Sequence, residues 1–160
     1  MITQELLNSL FEYKEGVLYW KVNRTANKIK GTKAGCLDGR GYLQTKINNV
    51  LYKNHRLIFL MHHGYLPKVI DHIDGNPLNN DFANLREAST SQNVMNAKLY
   101  CTNKAGIKNV CWNKKHKKWV VKLQINKKRI HFGMFEDIEL AELVAHEARD
   151  KYHQNFARHK

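Results

Sequence analysis

The sequence predicts an α+β protein made of an N-terminal β layer, a turn-rich central segment ending in a capped helix, and a three-stranded antiparallel sheet packed on one helix. Three observations predict this class. Short strand-like segments bounded by Gly and Asn fill the first fifty residues. A capping-box pattern follows a dense run of turn formers in the middle of the chain. Three alternating segments then precede an Ala-rich segment with an apolar stripe.

In the N-terminal layer, strands are predicted at 16–22 and 41–47, and the residues from Asn27 to Gly41 form a Gly-rich and Lys-rich loop between them. A helix is predicted at 54–63, because apolar residues recur there at helical spacing and Gly64 follows. The layer therefore leads into one helix.

The central segment begins with a predicted strand at 68–72. The run 74–81 is dense in Asp, Asn, Gly and Pro, so a loop follows the strand. Ser89 and Gln92 fit a capping box and predict a helix that begins there, with Asn93 in its first turns.

The C-terminal segment predicts a meander with strands at 109–113, 118–125 and 128–133, and Asn126 and Lys127 form the tight link between the last two. Side chains alternate along a strand, so the middle strand has one core face and one mostly polar face. The core face comprises Trp119, Val121, Leu123 and Ile125. Asp137 is the predicted cap of a helix whose apolar stripe covers that face.

The charge distribution indicates a class of binding partner and a domain boundary. The chain has 27 Lys+Arg against 14 Asp+Glu, a net charge of +13, which favours a polyanion such as nucleic acid. Residues 98–135 hold eleven basic residues and no acidic one. We therefore divide the chain into a domain at 1–97, a linker at 98–106 and a basic domain at 107–160.

The sequence argues against a membrane protein or a secreted one. The longest aliphatic or aromatic run, 57–61, is too short to span a bilayer, and residues 1–6 lack the blocks of a signal peptide. Cys36, Cys101 and Cys111 are widely spaced and form no zinc or disulfide pattern, so we expect reduced thiols. We expect an intracellular protein, cytoplasmic in a bacterial host if it is phage-encoded.

The chemical centre is Asp71-His72, with Asn84 twelve residues after the histidine and Asn93 nine further on. This pattern resembles the HNH endonuclease motif, closest to phage-type H-N-N homing endonucleases, over about residues 40–97. The resemblance implies a ββα-metal finger at about 68–97. It also implies that His72 is the general base, that Asp71 and Asn93 bind one divalent cation, and that Asn84 hydrogen-bonds across the loop to hold the histidine strand.

Phosphodiester hydrolysis requires residues of these types. Histidine can deprotonate water near neutral pH. A carboxylate and an amide oxygen suit Mg²⁺ or Mn²⁺, with phosphate and water completing the shell, and no small-molecule cofactor is expected. Asp74 and Asp81 are alternative metal ligands that we interpret as turn-forming acids. His55, His62 and His63 are interpreted as capping or flanking the predicted helix.

Residues 107–158 resemble an AP2 domain, the sheet-and-helix module of plant AP2/ERF factors that also occurs fused to phage HNH nucleases. The resemblance includes the segments 118–123 and 130–135 and the Ala-rich helix. It implies that the polar sheet face enters the major groove of double-stranded DNA. The implied DNA-binding residues are Asn113, Lys118, Lys122, Gln124, Arg129 and His131.

The AP2 resemblance has departures. Cys111 and Asn113 stand where the plant pattern has arginines, Gln124 replaces another, and His131 occupies a tryptophan position. The plant site preference therefore does not carry over. Trp112 and Trp119 are expected in the core.

Together these features predict a metal-dependent DNA endonuclease anchored on DNA by a basic sheet. A DNA-binding regulator with an inactive finger is the leading alternative, and an RNA-directed nuclease or binder is the next.

Overall fold

The computed structural model describes residues 2–23, 29–99, 102–125 and 128–159. The chain divides into two compact units, Met1–Ala88 (unit 1) and Ser89–Lys160 (unit 2). Each unit combines helices with small antiparallel sheets, so the mixed class predicted from the sequence is found in both. Within the described ranges, no helix has the length and apolar character needed to cross a membrane.

The described residues of unit 1 form two α-helices and seven strands. In chain order these are α1 (Gln4–Leu10), β1 (Phe11–Lys14), β2 (Val17–Trp20), β3 (Cys36–Leu37), β4 (Leu43–Ile47), β5 (Val50–Lys53), α2 (Asn54–His63), β6 (Val69–His72) and β7 (Leu85–Ala88). They form the antiparallel pair β1–β2, the sheet β3–β4–β5 and the antiparallel pair β6–β7. A short 3-10 helix, Phe82–Asn84, precedes β7.

Local sequence explains several of these elements. The β4–β5 turn uses Asn48 and Asn49, both with positive φ, as the tight hairpin between Ile47 and Val50 requires. Helix α2 ends at Gly64 in the left-handed conformation, where glycine has no steric cost. The predicted helix at 54–63 is thus confirmed. α1, β1 and β5 were not predicted, and β3 lies inside the segment interpreted as loop.

One hydrophobic core joins the elements of unit 1. It gathers buried side chains from α1, β1, β2, β4, α2, β6 and β7, including Phe11, Trp20 and Phe59. Asn54, at the start of α2, accepts a hydrogen bond from Thr45 Oγ1 at 2.7 Å and donates to the Ala34 carbonyl at 2.9 Å. Strands β6 and β7 therefore rest on the same core as the N-terminal layer.

Unit 2 contains α3 (Thr90–Met95), β8 (Val110–Asn113), β9 (Lys118–Ile125), β10 (Lys128–Phe135) and α4 (Ile138–His153). The capping box is present, because Ser89 Oγ accepts from the Gln92 amide and the Gln92 side chain accepts from the Ser89 amide. The strand order β10–β9–β8 is the predicted meander. The predicted link at Asn126 and Lys127 lies outside the described residues.

Helix α4 covers one face of this sheet. Asp137 caps it by accepting a hydrogen bond from the Glu139 amide at 2.8 Å, as predicted. The core between helix and sheet consists of Val110, Val121, Leu123, Ala141, Ala145 and Ala148. The core face of β9 is therefore the predicted one, although Val120, on the other face, is also buried at 2% exposure.

The prediction that Trp112 lies in the core is wrong. Trp119 is partly buried and packs against the core, but Trp112 is 46% exposed. Trp112 lies on the edge strand β8, which α4 contacts less than β9 and β10. The two rings still meet edge to face at 4.8 Å.

Of the cysteines, Cys36 and Cys111 are exposed free thiols, and Cys101 lies outside the described residues.

Candidate active site and nucleic-acid interface

The β6–β7 pair positions the predicted catalytic strand. Asp71 lies opposite Arg86 and His72 lies opposite Leu85 in the antiparallel register. Successive side chains on a strand point to opposite faces, so Asp71 and His72 project in different directions from adjacent positions. Both are buried, at 4% and 6% exposure.

Arg86 holds the Asp71 carboxylate. Its Nε and Nη2 each lie 2.8 Å from Asp71 Oδ2, a charge-assisted pair formed across the two strands. Arg86 lies two residues after Asn84 in the sequence, and no role was predicted for it. The cross-strand register of β6 and β7 was the missing information, since it puts residues 71 and 86 side by side.

His72 lies among groups that sequence reasoning did not connect with it. Its Nε2 is 3.1 Å from Asn80 Oδ1, and Asn80 is 1% exposed. The His55 ring meets the His72 ring edge to face at 5.1 Å, and the Tyr42 ring lies 6.1 Å from His72. The imidazole is therefore held by the Asn80 side chain of the loop, with the His55 ring of α2 and the Tyr42 ring beside it.

The His55 ring lines the site around His72, so His55 does more than flank helix α2. Burial, together with the nearby His72, Arg56 and Lys53, lowers the pKa of His55 to about 3. His55 is consequently neutral at neutral pH. A neutral ring can pack against His72 without adding a like charge beside it.

Asn84 connects the two ends of the loop between β6 and β7. Its Oδ1 accepts from the Asp74 amide at 3.0 Å, and its Nδ2 donates to Asp74 Oδ1 at 3.0 Å and to the Asn79 carbonyl at 2.8 Å. Its backbone carbonyl also accepts from the Ile73 amide at 2.9 Å. The residue thus satisfies several polar groups of a loop that contains little regular structure.

Asp74 is a structural acid of the loop. It accepts hydrogen bonds from the Asn76 amide, the Asn79 side chain and the Asn84 side chain. Burial on its own would raise the pKa of Asp74, but these hydrogen bonds and the nearby His72 outweigh burial and lower that pKa. Asp74 therefore stays ionised and organises the turn, which agrees with its interpretation as a turn-forming acid.

The β1–β2 hairpin contacts the far side of the same loop. Tyr13 Oη accepts a hydrogen bond from the Phe82 amide at 2.9 Å. Gly16 has φ +79°, and a Cβ added there would lie 2.8 Å from the Asp81 backbone nitrogen. Asp81 itself accepts a hydrogen bond from the Ala83 amide at 2.9 Å, which caps the short 3-10 helix. Any side chain at position 16 would clash with the loop backbone, so the hairpin packs directly against the loop.

The structure brings Asp71, His72 and Asn84 together in unit 1. Asn93 lies in α3 of unit 2, where its amide donates to the Ser89 carbonyl at 3.0 Å and its side chain is exposed. Among the described residues, no group of three or more His, Cys, Asp and Glu side chains is arranged to hold a metal ion. A cation at this motif would therefore need ligands other than a cluster of such side chains.

Unit 2 carries the six residues predicted to contact DNA. Cross-strand pairing puts Asn113 opposite Lys118, His131 opposite Lys122, and Arg129 opposite Gln124. Paired residues share a face, so all six lie on the side of the sheet away from α4. Gln124, Arg129 and His131 are exposed, whereas the other three are half-buried.

Two of these six residues have partners within unit 2. Asn113 Oδ1 accepts from the Lys115 amide at 3.0 Å and the His116 amide at 3.2 Å, so it stabilises the β8–β9 turn. Lys118 Nζ lies 3.2 Å from Glu136 Oε1 in an exposed ion pair. Lys122, Gln124, Arg129 and His131 remain the stronger candidates for contact with a ligand on this face.

Comparison with known proteins identifies the family. Residues 52–95 match the HNH endonuclease family, which indicates a metal-dependent nuclease. The chain is 34% identical over 108 residues to Protein 3.8 of Escherichia phage T7, a match that covers 66% of this chain and 88% of that protein. No solved structure matches the chain. The chain therefore belongs to the same family as phage T7 Protein 3.8 and carries an HNH endonuclease domain at residues 52–95.

Proposed function

We propose that this protein is a metal-dependent DNA endonuclease that cleaves phosphodiester bonds with His72 as the general base. One observation carries the proposal. At the end of β6, within the matched HNH domain, the buried carboxylate of Asp71 is followed by the buried imidazole of His72. The direct test is incubation of the purified protein with supercoiled plasmid DNA, with and without Mg²⁺. Nicked or linear plasmid is expected only with the cation, and DNA binding without cleavage would favour a regulator.

The contact with Asn80 supports Nδ1 of His72 as the atom that accepts the proton. Asn80 Nδ2 donates to the Leu78 carbonyl at 3.5 Å, so the amide oxygen faces His72 Nε2. An oxygen acceptor at that position favours the tautomer with hydrogen on Nε2. The lone pair of the neutral ring then lies on Nδ1, where it can take a proton from water.

Asp71 and Asn93 are the proposed protein ligands of one divalent cation, on the strength of the motif. The observed geometry of Asp71 fits this role, because the Arg86 Nε and Nη2 contacts to Oδ2 hold the carboxylate in one orientation. A carboxylate held in this way is oriented before a cation binds. When bound, Mg²⁺ or Mn²⁺ would supply electrostatic stabilisation of charge on the phosphate and on the leaving oxygen.

Asn84 is proposed as a positioning residue for His72. We expect Asn84→Ala to lose about 1–3 kcal/mol of folding free energy and to cleave DNA more slowly, because it removes three side-chain hydrogen bonds from the loop. Thermal melting and plasmid nicking are the two measurements. If melting is unchanged and excess metal restores cleavage, Asn84 is a metal ligand instead.

The basic sheet of unit 2 is proposed to hold the protein on double-stranded DNA, in the manner of the AP2 domain that residues 107–158 resemble. Lys122, Arg129 and Gln124 lie on one sheet face, and α4 covers the other face. The acid-free stretch 98–135 includes all three strands up to the end of β10. Lysine and arginine there would contact phosphates, while asparagine and glutamine could read base edges.

Salt dependence tests this interface in the full-length protein. We expect Lys122→Gln to weaken DNA binding and to reduce the slope of log affinity against log salt by about 0.9, the amount for one phosphate contact. Lys151→Gln is the matched control, since it removes the same charge from an exposed position on α4. Equal effects of the two substitutions would show that the sheet face has no special part in binding.

A further inference from the structure

Unit 2 contains a cavity of about 250 Å³ whose lining includes Gln124, one of the residues predicted to contact DNA. Its lining combines apolar groups of α3 with polar groups from the start of β8, the end of β9 and the end of α4. The lining includes Val94, Met95, Asn109, Gln124 and His153. Mostly apolar walls with a few polar groups are typical of sites for small organic ligands.

His153 is the unusual member of this lining. It is 6% exposed, and among the described residues neither of its ring nitrogens has a hydrogen-bond partner. A second cavity, of about 460 Å³, is also lined by His153 and Met95. Buried polar atoms are normally paired, so an unpaired imidazole in the wall of a cavity points to a partner that binds there.

The electrostatic surroundings of His153 favour an uncharged ligand with hydrogen-bonding groups over a simple anion. Burial, followed by the nearby Lys108 and Arg149, lowers the pKa of His153, so the ring is neutral and offers one donor and one acceptor. Lys108 Nζ already donates to the Met95 carbonyl at 2.6 Å and the Ala97 carbonyl at 2.7 Å. Arg149, fully buried, donates to the Lys108 carbonyl. Arg149 also donates to Asn109 Oδ1 at 3.4 Å, which leaves the Asn109 amide nitrogen for a ligand. Both nearby cations are therefore engaged with oxygens of the protein.

We propose that this cavity binds a nucleobase, with the flat ring against Val94 and Met95 and its polar edge on His153, Asn109 and Gln124. A nucleobase has apolar faces and an edge that carries both donors and acceptors, as the lining requires. It can reach such a cavity when it is unstacked or extruded from the duplex. The ligand class rests on the nucleic-acid partner in the proposed function, while the site itself is separate from the cleavage chemistry.

Metal-free binding experiments test this site independently of cleavage. Full-length protein labelled with ¹⁵N-histidine is titrated with each of the four deoxynucleosides and, separately, with inorganic phosphate. We expect the His153 ring signals to shift saturably with at least one deoxynucleoside, while those of exposed His116 stay unchanged. A response to phosphate alone, or no His153 response to any deoxynucleoside, would overturn the proposal, and neither result would touch the assignment of His72.

Two substitutions separate binding from packing. His153→Leu is expected to bind the responding deoxynucleoside at least tenfold more weakly and yet to melt several degrees higher, because an apolar group replaces an unpaired buried polar one. Val94→Trp, at a position 54% exposed, should fill the cavity and weaken binding without disturbing the core. Unchanged binding in both variants, or a lower melting temperature for His153→Leu, would mean that His153 only supports the fold.

Discussion

Substitution of His72 by alanine is expected to lower the rate of DNA cleavage by roughly 10²–10⁴-fold, the usual contribution of a general base. DNA affinity should be retained, because the proposed phosphate contacts lie on the sheet of unit 2. Single-turnover cleavage and binding in metal-free buffer measure the two quantities. His146→Ala, on α4, is the matched control for loss of an imidazole.

The same variant also tests the surroundings of His72. His72 is buried beside His55 and Asn80, so alanine leaves a small polar cavity and some loss of thermal stability is expected. Cleavage is therefore compared at a temperature where both proteins are folded. Turnover close to that of the unsubstituted protein under these conditions would remove His72 from the mechanism.

Removal of divalent cations with EDTA is expected to abolish cleavage, and addition of Mg²⁺ or Mn²⁺ should restore it, because the proposed cation stabilises the charge that develops on phosphate. Asp71→Asn should raise the metal concentration needed for half-maximal activity, since an amide is a weaker ligand than a carboxylate. Plasmid nicking across a metal titration measures both effects. Cleavage that persists in metal-free buffer would contradict the proposal.

Asp71→Asn has a structural effect that needs its own control. The variant removes the carboxylate from a mostly buried ion pair, a change that typically destabilises a protein by about 3–5 kcal/mol. The double variant Asp71→Asn/Arg86→Gln also removes the guanidinium charge. It should recover part of the stability without recovering metal-dependent activity, whereas recovery of activity would show that Asp71 acts only through the fold.

The elements that could be predicted from sequence have local causes. The α3 capping box needs only Ser89 and Gln92, three residues apart, and both of its hydrogen bonds form. Strand β9 begins and ends as predicted, because alternation along eight residues defines its two faces. α1 was missed because it is only seven residues long and contributes a single buried residue, Leu7.

The parts of the candidate site that could not be predicted depend on tertiary contacts. Asn80 was one asparagine among several in a turn-rich run, and only the folded loop brings its Oδ1 to His72. His55 lies 17 positions before His72 in the chain, so the helix pattern around it gave no sign that the two rings meet. The Asp71–Arg86 pair likewise follows from strand register, which the motif spacing does not specify.

The contact between the β1–β2 hairpin and the β6–β7 loop limits how this HNH domain can be exchanged between proteins. The family match begins at residue 52, but the loop that supports His72 is braced by Tyr13 and closely approached by Gly16, both outside that range. A graft of residues 52–95 alone onto another DNA-binding protein would therefore leave one side of the loop exposed to solvent. A transferable form of this HNH domain has to include the N-terminal hairpin, and recombination upstream of β1 would preserve it.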